Sequence, residues 1–106
     1  MIVLDIETSG LYPERNGIWQ IGAIDFFNPE NEFLEESRID EEDEIVETAM
    51  ELSGKTESEL RDKNKQSQKQ LIANFFKWAE SIKIKNLVYQ NPSIDLLFLD
   101  YKTRKY

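Results

Sequence analysis

The sequence predicts an α/β fold: an antiparallel meander of three strands, a helical middle, one short strand parallel to the first, and a closing helix. Three observations predict it. The chain opens on an apolar run with the carboxylates of Asp5 and Glu7 planted in its end, residues 67–82 repeat apolar positions at helical spacing, and Leu87-Val88-Tyr89 forms a short apolar run between Asn86 and Asn91.

The elements follow in order. The first strand runs from Ile2 to Glu7 and is broken by Ser9-Gly10; a loop containing Pro13 and Asn16-Gly17 leads into a second strand, Ile18 to Phe27. Asn28-Pro29-Glu30-Asn31 reads as a turn and Glu32 to Ile39 as a third strand with a mixed face. The acidic run Asp40-Glu41-Glu42-Asp43-Glu44 is expected to be a solvated loop and helix N-terminus, where negative charge suits the helix dipole. Ile45 to Leu52 is a short amphipathic helix ended by Gly54, and Thr56-Glu57-Ser58-Glu59-Leu60 carries an N-capping pattern. Ser67 opens a stronger helix whose stripe of Leu71, Phe75, Trp78, Ala79 and Ile82 predicts burial, so Phe75, Phe76 and Trp78 are expected in the core rather than stacked on bases. Pro92-Ser93 starts the last helix, which runs through Leu96, Leu97 and Leu99 and holds Asp95 in its first turn.

Length and composition bound the class. The 106 residues make room for one small domain, residues 1–106, with little stability to spare. A hydrophobic fraction of 40% with 11% aromatics argues for a folded globule. With no cysteine there is no disulfide and no thiolate metal site, which fits a reducing compartment. No apolar stretch approaches the roughly 18 residues of a membrane span, and no basic segment precedes an apolar one at the N-terminus. A cytoplasmic protein is expected. The net charge of −8 is divided unevenly: residues 1–51 carry 15 acidic against 2 basic side chains, and residues 52–106 carry 6 against 11. A chain so divided can offer metal ligands from one half and phosphate contacts from the other. The bland reading of Lys55, Lys63, Lys65, Lys69, Lys77, Lys83 and Lys85 is solvated helix surface.

The chemistry is concentrated at the end of the first strand. Asp5 and Glu7 leave one face about 7 Å apart at Cα, while Ile2, Leu4 and Ile6 line the other. Two neighbouring carboxylates repel, and a hard divalent cation with oxygen ligands, Mg²⁺ or Mn²⁺, relieves that repulsion. The competing reading is an ordinary half-buried strand with a solvated polar face. Asp95 has a similar alternative, as an acid stabilised by the N–H groups of its own helix. If the Leu87–Tyr89 strand lies beside the first, however, its carboxyl end brings Asp95 next to Asp5 and Glu7.

Asp5-Ile6-Glu7-Thr8-Ser9-Gly10-Leu11, followed by Ile18-Trp19-Gln20-Ile21-Gly22-Ala23-Ile24, resembles the first motif and second strand of the DEDD-type 3′ to 5′ exonucleases, the proofreading-exonuclease and ribonuclease T group. Asn91-Pro92-Ser93-Ile94-Asp95-Leu96-Leu97-Phe98-Leu99 resembles that family's second motif, with Gln90-Asn91 where the family usually has His-Asn and Ile94 where it has an aromatic. The resemblance covers essentially the whole chain. The family's third motif, a His and a final Asp, has no counterpart, and the sequence contains no histidine.

The resemblance implies a ribonuclease H-like mixed sheet lacking the family's last strand and helix. It also implies two-metal phosphodiester hydrolysis at a single-stranded DNA or RNA 3′ end. Two Mg²⁺ or Mn²⁺ ions would be held by Asp5, Glu7 and Asp95, with Asp95 orienting the water. Thr8 through its backbone and Leu11 as a wedge would contact the terminal nucleotide, though Leu11 has an ordinary role in loop packing. Without the last elements, the fourth strand is expected to present an open edge and one sheet face to lose its cover. Both invite homo-oligomerisation, continuation of the natural chain past Tyr106, or a second chain that supplies the missing part. The alternative function is a non-catalytic ribonuclease H-like module that binds nucleic acid or protein.

Overall fold

A computed structural model describes residues 1–82, 87–89 and 92–106. The Gln90-Asn91 part of the second motif, and Lys83 and Lys85, lie outside the described residues. The chain forms β1 (Ile2–Thr8), β2 (Ile18–Asp25), β3 (Asn28–Glu36), α1 (Glu47–Ser53), α2 (Glu57–Leu60), α3 (Gln68–Glu80), β4 (Leu87–Tyr89) and α4 (Pro92–Lys105). The strands make one mixed sheet in the order β3-β2-β1-β4, with β1 antiparallel to β2 and parallel to β4.

The period-two pattern of β1 sorts its faces as the sequence predicts. Ile2, Leu4 and Ile6 are buried in a core with Ile21, Ala23 and Phe33, under α3 residues Leu71, Ile72 and Phe75 and α4 residues Phe98 and Leu99. Phe33, Phe75 and Trp78 form an aromatic cluster with ring centroids 5.7–6.2 Å apart, and Trp78 Nε1 donates to Asn31 Oδ1 at 3.0 Å. The expected core role of these aromatics holds. Leu34 and Val88 stand exposed on the opposite face of the sheet, where cover was expected to be missing. A smaller cluster of Trp19, Ile39 and Leu60 joins α1 and α2 to the sheet's end.

The predicted caps form. The Thr56 side chain accepts from Glu59 N while Glu59 reaches back to Thr56 N, a full capping box. Ser67 caps α3 by accepting from Gln70 N. Gly54 ends α1 at φ 73°, a left-handed conformation that glycine adopts without steric cost.

Three expectations need correction. The β2–β3 turn is at Phe26-Phe27, where the Asp25 carboxylate accepts from Phe27 N, and not at Asn28–Asn31. Those residues form an irregular stretch of β3 between the pairs Asp25–Asn28 and Ile24–Glu32. Pro29 is tolerated there because β3 is an edge strand. Second, β3 ends at Glu36 rather than Ile39: beyond it the backbone turns away to bond Gln66 and Leu60 through Arg38 N and Ile39 N. Third, the acidic run is not merely a solvated helix start. Asp43 is buried against Lys102, and α1 begins only at Glu47 with Val46 at its N-cap. Among the described residues no helix is long and apolar enough to cross a membrane.

Candidate active site

β1 delivers Asp5 and Glu7 to the face opposite the core, with Asp5 exposed and Glu7 half-buried. The register with β2 slips immediately after Glu7, which pairs with Gln20 while Thr8 pairs with Ile18. Trp19 is the extra residue of this bulge, and its indole N–H donates to Thr8 O at 3.2 Å. Bulges of this kind bend a strand and re-aim its side chains. Neither the bulge nor the role of Trp19 was visible in the sequence, because a one-residue slip leaves the apolar pattern of β2 intact.

Behind Thr8 the chain closes a tight loop, residues 9–17. Ser9 is buried, its Oγ donating to Glu44 O at 2.7 Å and accepting from Gly17 N at 2.9 Å. Asn16 is also buried, donating to Glu44 O and accepting from Tyr12 N. A Cβ on Gly10 would stand 2.4 Å from the Asn16 side chain, so only glycine fits there. Thr8 Oγ1 donates to Gly10 O at 2.6 Å, and Leu11 in this loop is 63% exposed and outside both buried clusters.

Asp95 arrives from the other half of the chain. β4 lies parallel to β1 with Tyr89 opposite Leu4, and α4 starts beyond its carboxyl end, so Asp95 sits in the first turn of α4, almost fully buried. Its charge is felt at two side chains. Burial raises the Tyr89 hydroxyl above its ordinary range, and Asp95 and Asp100 push it the same way. Burial also raises the Glu7 carboxyl; Asp5, as a charge and as the hydrogen-bond partner of protonated Glu7, and then the charge of Asp95 raise it further.

Burial and the charges of Asp5 and Asp95 thus all act on Glu7 in one direction. Asp5 and Glu7 are an interacting pair, and Asp95 acts on Glu7 through charge. Among the described residues no three acids form a closed cluster able to hold an ion. The donor chemistry still suits a hard divalent cation: every group is a carboxylate, and like charge crowds Glu7 toward its protonated form.

A model of the RNase T exonuclease family matches residues 2–106. Among solved structures, the nuclease domain of 3′hExo, a DEDDh family member bound to rAMP, superposes with a TM-score of 0.67 at 14% identity, covering 98% of this chain and 58% of that one. Cell-death related nuclease 4 (CRN-4) gives a TM-score of 0.65 at 13% identity, over 97% of this chain and 39% of that one. The chain therefore spans less than two thirds of either structure, and both share its ribonuclease H-like fold. No curated protein matches it.

Proposed function

The chain belongs to the RNase T exonuclease family, and from that premise we propose that it contributes the substrate end and three of the acids of a metal-dependent 3′ to 5′ exonuclease acting on single-stranded DNA or RNA. The observation that carries the reading is the crowding of Glu7 by Asp5 and Asp95, delivered from two ends of the sequence to the carboxyl ends of two parallel strands.

Asp5, Glu7 and Asp95 would hold the ions, two Mg²⁺ or Mn²⁺ in the family's scheme. When bound, such ions supply Lewis acidity toward the phosphate and offset the carboxylates' charge. The chain's own residues do the positioning. At the bulge the Trp19 indole engages the Thr8 carbonyl, beside Glu7, where a terminal nucleotide would lie. Leu11, held out by the closed 9–17 loop, offers an apolar wedge for the terminal base. No histidine is present to take the water's proton, so hydrolysis by these residues alone is expected to be about 10²- to 10⁴-fold slower than with a positioned base.

The test separates ion binding from turnover. Mn²⁺ at 100 times its Kd should stabilise the fold by about 2.7 kcal/mol, read as a rise in melting temperature. Asp5→Asn should abolish that rise while the protein stays folded. An unchanged melting curve in millimolar Mn²⁺ overturns the reading. On a 5′-labelled single strand, shortening from the 3′ end is expected to be very slow or absent, and any that occurs to stop in EDTA; shortening that persists in EDTA counts against the reading.

A further inference from the structure

Helix α4 has two candidate faces at helical spacing, one residue apart. Ile94, Leu97, Phe98 and Tyr101 form an uninterrupted apolar stripe; Asp95, Phe98, Leu99 and Lys102 form a stripe with a charge at each end. Adjacent residues in a helix differ by about 100° of rotation, so the choice between the stripes is one such turn. Apolar burial alone favours the first. The structure takes the second: Asp95, Phe98, Leu99 and Lys102 are all buried, whereas Leu97 is 56% and Tyr101 40% exposed.

Lys102 shows what outweighs the apolar stripe. Its Nζ is 3.3 Å from Asp43 Oδ1, with both side chains buried. The other oxygen of Asp43 accepts from Gln68 Nε2 at 2.8 Å and from Asp40 N at 2.9 Å, and Gln68 Oε1 accepts from Ile18 N at 2.7 Å. Ile18 is the β2 partner of Thr8. A continuous polar chain therefore runs from the last turn of α4 to the start of β2, and every member from Lys102 to Ile18 is buried. A buried carboxylate is costly without a cation, and Lys102, which meets Asp43 Oδ1, lies on the same buried face of α4 as Asp95.

We propose that the buried Lys102–Asp43 pair is a rotational key: it turns α4 so that Asp95, two helical turns before Lys102, faces Asp5 and Glu7 instead of solvent. Lys102 and Asp43 are positioning residues for the candidate site, an assignment that rests on the reading of Asp95 as a member of it. The rotation itself is measurable whatever the chemistry turns out to be.

The chain has no cysteine, so a single Leu97→Cys or Leu99→Cys substitution reports the helix face through its rate of thiol labelling. In the parent, Cys at 97 is expected to react quickly and Cys at 99 slowly. Asp43→Asn keeps the shape and both accepted hydrogen bonds but strands the ammonium, which should leave the core by rotation of α4. The two labelling rates should then exchange order, each changing on the order of tenfold or more. Adding Lys102→Met should restore the parental order without restoring any ion pair, because the stripe then has nothing to expel. Lys102→Glu, which sets a second carboxylate against Asp43, carries the same prediction as Asp43→Asn, should that variant lose its far-ultraviolet circular dichroism. An unchanged order in the folded variants, or both sites accelerating together, overturns the proposal and leaves the pair a contributor to stability alone.

Discussion

The two halves of the candidate site are held by different physics. Asp5 and Glu7 ride on β1, laddered to β2 along its length and to β4 over residues 2–4, with a bulge and a closed loop behind them whose polar groups are satisfied within about ten residues of chain or by Glu44. Asp95 rides on α4, which meets the sheet through a three-residue strand, two buried apolar residues and the Lys102–Asp43 pair. The first half is specified locally and by dense hydrogen bonding. The second depends on a few contacts from far away in sequence, so it should be the easier half to displace.

The largest effect that sharpens this contrast is Phe98→Ala. Phe98 is fully buried at the point shared by both faces of α4, and its loss should cost about 3–5 kcal/mol in urea denaturation. The loss should also expose α4 amides to hydrogen exchange before those of β1 and β2. Exchange that begins in β1 would break the comparison.

An intermediate effect belongs to the other half. Ser9→Ala leaves Gly17 N–H without its buried acceptor and should cost about 1–3 kcal/mol by the same measurement. It should disturb the 9–17 loop while the labelling pattern of α4 stays parental.

The smallest effect is at the outer end of α4, where Lys105 reaches Asp40 at 3.1 Å and Glu42 at 2.8 Å and the Tyr106 hydroxyl donates to Asp40. Burial pushes the Asp40 carboxyl up, but hydrogen bonds from Tyr106 and Lys105 outweigh it and hold the group below its usual 3.8. A carboxylate lowered in the folded state contributes stability above its unfolded value and loses it as pH falls through the folded one. Melting temperatures of the parent and Asp40→Asn should therefore differ at neutral pH and converge below about pH 4, the difference amounting to under about 1 kcal/mol because water screens these side chains.

Much of the first half was legible in the sequence. Alternation in β1 assigned the acids to one face and the core to the other, and Thr56 and Ser67 announced their helices through side chains that bond their own neighbours. The turn between β2 and β3 was misread, since Asn-Pro is a strong local turn signal and only the edge position of β3 makes Pro29 acceptable within it. Asp43 was misread for a related reason. Within its five-acid run it resembles its neighbours, and nothing nearby reveals that a lysine 59 residues on will be buried against it.

By itself, then, the sequence determined what short-range periodicity and local hydrogen bonding can encode: the strand faces, the starts of α2 and α3, and the placing of Asp5 and Glu7 on one face. It left α4 with two faces that satisfy helical spacing equally. Tertiary structure decided between them, because burying a charge is costly unless a partner is already in place, and that partner is fixed by Gln68 and the β2 backbone. If the Lys102–Asp43 pair sets the rotation of α4 as proposed, the burial of Asp95 follows from a charge pair distant in sequence rather than from the motif in which it lies.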